Sequence, residues 1–123
     1  MRTHTTVSVL GEEWDVNIKA ANDELRLTGG GFCDDTVREL CVKALSQKEL
    51  EEPDTVKNYA ARQRHCAAHE IVHAFLFESG LSADSWADNE EIVDWIGHNI
   101  KRMAKALEQV EQGLDFQEGS KTQ

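Results

Sequence analysis

The sequence predicts an α+β fold: a small twisted antiparallel sheet packed on two long antiparallel helices. Three observations predict it. Apolar and polar residues alternate through the first third of the chain, two long helix-forming segments follow, and the single proline, Pro53, stands between the two regimes. Strands first and helices after is the α+β pattern.

The strand pattern starts at Val7 and Val9, continues through Trp14, Val16 and Ile18, and resumes at Leu25 and Leu27. "LGEEW" reads as a tight turn, "AANDEL" as a second, and "TGGGFCDDT" as a Gly-rich connection to a fourth short strand, Val37 to Val42. Pro53 followed by Asp54, a candidate cap, predicts a helix from about Thr55 to Phe77 or Glu78, with Gly80 as its stop. The loop "SGLSADSWAD" leads to a second helix, from about Asn89 to Gln109. One domain then covers residues 1–112, and the polar stretch 113–123 reads as a frayed tail.

A chain of 123 residues has room for one modest core. Its 13 basic and 23 acidic residues leave a net charge of -10, which repels phosphate backbones and anionic membrane surfaces. Direct binding to nucleic acid or membrane is therefore not expected. The start, "MRTHTTVSVLGEEW", has no apolar run of the kind a signal peptide needs, and no later segment is long and apolar enough to span a bilayer. The expected location is cytoplasmic. Cys33, Cys41 and Cys66 form an odd set without C-x-x-C spacing, and they read as small buried or half-buried side chains in a reducing compartment.

The stretch with chemistry in it is "AAHEIVHAFLF", residues 67–77, where two histidines and a glutamate interrupt an apolar helix. Residues four apart lie one turn apart on the same helix face, so His69 and His73 can share one metal ion. Glu70 projects to one side, where its carboxylate reaches a water on the metal rather than the metal itself. This is H-E-x-x-H, and a site of this type wants a third protein ligand and an open position. If the second helix packs antiparallel to the first, its beginning brings Glu90 level with His73 to complete the site. One turn further on, Asp94 is placed to accept the free ring N–H of His69 and fix its tautomer. Glu91 is the rival ligand, but "DNEE" offers it a different task, a capping box with Asp88 as the N-cap.

"HEIVH" followed by "NEEIVD" resembles the gluzincin signature of thermolysin-like peptidases, H-E-x-x-H with a downstream N-E-x-x-x-D. The small size and the segment "HEIVHAFLFESG…WADNEEIVDWIG" look more like the compact ImmA/IrrE-type metallopeptidases and their phage and prophage relatives. In that group an E-x-x-A-N-x-F-A stretch supplies the third ligand. "EEIVDWIG" occupies its place here, with Val93 for the small alanine and Asp94 where Asn often stands. The resemblance covers about Arg64 to Gly97 and implies a zincin-like fold, a Zn2+ cofactor held by His69, His73 and Glu90, Glu70 as general base, and Asp94 as the partner of His69. It also implies that an edge strand beside the cleft, here "VRELCVK", borders the substrate.

The expected activity is hydrolysis of a peptide bond in a protein or peptide substrate, with zinc-bound water activated by Glu70. Tyr59, His65 and His98 are candidate donors to the oxyanion, and the sequence does not choose among them. Arg62 and Arg102 read as solvated charges, and Trp95 as core. Two other readings remain at this stage: a catalytically silent zincin-fold protein that holds a regulatory protein partner, and a helical scaffold without metal. The substrate's identity and the oligomeric state are not legible.

Overall fold

The computed structural model describes residues 2–81 and 85–117; most of the expected tail lies outside the described residues. Four strands, β1 (His4–Val9), β2 (Glu12–Ala20), β3 (Gly31–Asp34) and β4 (Glu39–Ala44), precede three helices, α1 (Gln47–Leu50), α2 (Tyr59–Glu78) and α3 (Glu90–Gly113). The class is α+β, as the sequence predicts.

The β1–β2 hairpin turns on Leu10 and Gly11 alone, both in the left-handed region at φ 50 and 89. Positive φ at both loop positions is what a tight hairpin requires, and the glycine takes it without strain. Beyond it the sheet departs from expectation. The strand order is β1-β2-β4-β3, and β2 pairs with β4 in parallel, so the sheet is mixed rather than antiparallel. The chain leaves β2 through a single turn of 3-10 helix at Ala21–Asp23 and returns as β3 on the far side of β4.

Two further corrections follow from that route. Leu25 and Leu27 form no strand: Leu25 is 90% exposed, and Arg26 between them is anchored to Glu24, Asp34 and Glu39. The third strand comes instead from "GFCD", inside the stretch read as a connection. In consequence the "VRELCVK" strand is paired on both sides, and the edge belongs to β3.

The helices also begin differently. Ser46 and Glu49 form a complete capping box that starts the short α1 ahead of Pro53. Helix α2 then starts at Tyr59, because Asn58, not Asp54, caps it by accepting from the Ala61 N–H at 3.0 Å.

Val9, Trp14, Leu40 and Ala74 form the core, joined at its edge by Ile71 and Phe77 of α2. Trp14 is fully buried, and its indole N–H donates to Glu78 at the end of α2 at 2.7 Å. Glu78 also receives Arg38, so the sheet and the C-terminus of α2 are tied by polar as well as apolar contact. On its other side α2 meets α3 through Val93 and Gly97, both buried. Added at Gly97, a Cβ would lie 3.0 Å from the backbone nitrogen of His69, so this glycine sets how closely the two helices approach. Trp95, expected in the core, is 60% exposed on the outer side of α3.

Candidate metal centre

The two histidines of α2 point the same way, with ring centroids 5.1 Å apart. Both meet one carboxylate. His73 Nε2 lies 2.7 Å from Glu90 Oε1, and His69 Nε2 lies 3.2 Å from Glu90 Oε2. The other ring nitrogen of His69 donates to Asp94 Oδ1 at 3.0 Å. A carboxylate only accepts, so this arrangement favours the doubly protonated, charged form of His69. Burial works against that charge, but the hydrogen bond to Asp94 and the charges of Glu70 and Glu90 prevail, and the His69 pKa is raised.

Asp94 serves two histidines with one oxygen, for His65 Nε2 also reaches Oδ1 at 2.7 Å. Hydrogen bonds from His69 and then His65 hold its pKa below the ordinary aspartate value. The His65 ring in turn rests edge-on to His98, with centroids 5.7 Å apart. Along α2 and α3 the contacts run in opposite order, His73 meeting Glu90 near one end and His65 meeting His98 near the other.

Glu70 stands apart from this chain of contacts. It is buried against the sheet, and burial pushes its carboxyl pKa up while His69 and His73 pull it down. The backbone of Gly31 passes beside it: a Cβ built there would fall 3.5 Å from Glu70 Oε2 and 2.7 Å from the Cys41 carbonyl oxygen. A cavity of about 260 Å³ lies at this place, lined by Gly30 and Gly31 of the sheet, by His65, Cys66, His69 and Glu70 of α2, and by Glu90 and Asp94 of α3.

The structure thus brings His65, His69, Glu70, His73, Glu90 and Asp94 into one locality. Tyr59 is turned elsewhere and donates to the Lys43 carbonyl at the end of β4 at 2.9 Å. Glu91 does not close a capping box. Asn89 is the N-cap of α3, accepting from the N–H groups of Glu91 and Ile92 at 2.9 and 3.1 Å, and this displaces Asp88 from the role the sequence suggested. Asp88 falls instead beside His73 and Glu90, with ligand atoms of all three within 4.8 Å of one another. The sequence carries no signal for Asp88 at this place, because "DN" offers two cap residues in succession and does not say which will be used.

Two imidazoles and one or two carboxylates make a donor set that suits a divalent metal of the zinc type. His69, Glu70 and His73 also hold ligand atoms within 4.8 Å of one another. Cys66 borders the cavity, but burial raises its thiol pKa and so opposes the thiolate that a metal would need. Among the described residues no helix is long and apolar enough to cross a membrane. No family model, no curated protein and no solved structure matches this chain.

Proposed function

We propose that the protein is a zinc-dependent metallopeptidase of zincin-like fold, with α2 and α3 as the antiparallel helix pair that carries the ligands. One observation carries the reading: His69 and His73 direct Nε2 at the two oxygens of Glu90, while Asp94 takes the remaining N–H of His69. On this reading His69, His73 and Glu90 hold the ion, and Asp94 fixes the His69 tautomer. A zinc ion held there would supply a Lewis acid for the scissile carbonyl and would acidify water at its open position.

Glu70 is suited to handle the proton. Its burial beside Gly31 raises its pKa, so its carboxylate is a stronger base than an exposed glutamate. It takes a proton from the attacking water and returns it to the leaving amine. His65 is occupied in holding Asp94, which makes it a positioning residue, and the gluzincin resemblance supports the substrate class, a protein or peptide.

The test is the metal content of protein purified without added metal or a metal-binding tag, for wild type, Glu90→Ala and Glu91→Ala. About one zinc per chain in wild type and Glu91→Ala, with loss in Glu90→Ala, is the expected result. Wild-type protein that neither carries nor takes up zinc would overturn the proposal.

A further inference from the structure

His73 stands in two groups of ligand atoms at once. In one it lies with His69 and Glu70, in the other with Asp88 and Glu90, and within each group the atoms all fall within 4.8 Å of one another. The two acidic members that a three-ligand site leaves out differ in setting, for Glu70 is buried and Asp88 is exposed. Glu70 carries the proton in the proposed reaction, and Asp88 is left without a task.

The place of Asp88 is fixed from both sides. Its backbone N–H donates to the Ser85 carbonyl at 3.0 Å, closing a turn in which Ala87 is buried. On the other side Asn89 caps α3 by accepting from Glu91 and Ile92. With the cap taken by its neighbour, the Asp88 carboxylate enters no ion pair among the described residues and lies beside His73 and Glu90.

Distance and charge suit it to the same ion. Donors about 2.1 Å from a tetrahedral ion sit roughly 3.4 Å from one another, so a group already within 4.8 Å can close by side-chain rotation. Two imidazoles and the Glu90 carboxylate leave a divalent cation with net positive charge, and a second carboxylate cancels it. Affinity rises with the number of charged ligands.

We propose, resting on the zinc-site reading above, that Asp88 is a fourth protein ligand, joining His69, His73 and Glu90 when no substrate is bound. Asp88 is also the ligand placed to give way. Glu90 is carried by α3 and meets both histidines, whereas Asp88 is exposed and precedes the helix. Four protein donors make a closed site, and three with an open position make a catalytic one. Departure of Asp88 converts the first into the second, restores the charge that polarises a carbonyl, and ties opening of the site to a competing oxygen ligand, the carbonyl of a peptide.

Metal binding, measured without turnover, tests this. The full chain is stripped with a chelator and titrated with zinc against a chromophoric competitor. Its cobalt form is titrated with imidazole, a neutral ligand whose binding is insensitive to the loss of a nearby charge. Asp88→Ala should bind zinc about tenfold or more weaker than wild type, at least the loss that removing an outer partner of a ligand brings. Imidazole should shift its cobalt bands at about a tenth of the wild-type concentration, because in wild type only molecules with Asp88 released accept it. Asp88→Asn, which keeps the shape of the side chain, should change both readings in the same direction and carries the test if alanine disturbs the turn. Glu91→Ala removes the same charge from a side chain in neither ligand group and should match wild type. Wild type that takes up neither zinc nor cobalt overturns the metal reading and the fourth ligand together. Wild type that binds both, with Asp88→Ala and Asp88→Asn equal to it in affinity and in imidazole response, overturns the fourth ligand and leaves the three-ligand site standing. So does a loss that Glu91→Ala shares in full.

Discussion

Replacing Gly97 with alanine sets two effects of known size against each other. Alanine is favoured over glycine in a helix interior by about 1 kcal/mol. The added methyl, however, would meet the His69 nitrogen at 3.0 Å and the Ala68 carbonyl carbon and His69 Cα at 3.2 Å. These are backbone atoms and cannot swing aside, so α3 must retreat by about 0.5 Å to reach ordinary contact distance. Overpacking of this kind costs about 1–3 kcal/mol, leaving the metal-free protein destabilised by about 1 kcal/mol. On the proposed metal reading, the larger effect should fall on zinc. Ligand distances tolerate about 0.2 Å, and α3 carries Glu90 and Asp94 away from the histidines, so affinity should drop about tenfold or more. Urea unfolding with chelator present reads the first effect, and competition against a chromophoric chelator reads the second. Gly113→Ala is the control, since a Cβ there meets nothing within 4 Å. A Gly97→Ala protein that gains about 1 kcal/mol and keeps its zinc affinity would refute close contact between the helices at this point.

Other expectations follow from the same geometry. On the proposed reading, in which the buried Glu70 carboxylate carries a proton and is not a ligand, Glu70→Gln should abolish peptide hydrolysis and leave zinc content unchanged; residual turnover at the wild-type rate would remove Glu70 from the chemistry. Asp94→Asn keeps an oxygen acceptor for His69 and His65 and loses only the charge, whereas Asp94→Ala loses both, so zinc affinity measured by competition should fall in that order, by about 10–100-fold for alanine. Glu78 is held below its ordinary value of 4.5 chiefly by the hydrogen bond from Arg38, with Trp14 adding to it. A carboxylate more acidic folded than unfolded contributes stability that is complete above its unfolded pKa and lost as pH falls through its folded one. Unfolding midpoints should therefore decline below about pH 4.5, and Glu78→Gln should flatten that decline.

Much of this arrangement was legible, and the failures have identifiable causes. Local pattern located the β1–β2 hairpin, because Val9, Trp14 and Val16 alternate about a turn that needs only Leu10 and Gly11. It located α2 and α3 for the same reason, and the face shared by His69 and His73 is a matter of helix period alone. Sheet order is different. Nothing in the alternation of β2 or β4 says that they are neighbours, still less that they run parallel. Leu25 and Leu27 have the spacing of a strand, but the ion pairs of Arg26 with Glu24, Asp34 and Glu39 hold that segment in a loop. Caps were misread where candidates crowd together: Asn58 prevailed over Asp54, and Asn89 over Asp88.

Gly31 shows why a glycine run can be part of a site and not only a connection. Read locally, three consecutive glycines are a breaker. In the fold Gly31 is a strand residue, and its lack of a side chain lets β3 lie close against β4, where a Cβ would strike the Cys41 carbonyl, beside Glu70 of α2. Gly30 does the same against Cys66, whose sulfur would lie 2.8 Å from a Cβ. Gly97 admits α3 from the other side. Three glycines thus bring backbone close around His69, Cys66 and Glu70, the group whose pKa burial raises. A methyl at Gly31 would press first on the β3–β4 pairing at Cys41 and would reach Glu70 only at ordinary contact distance.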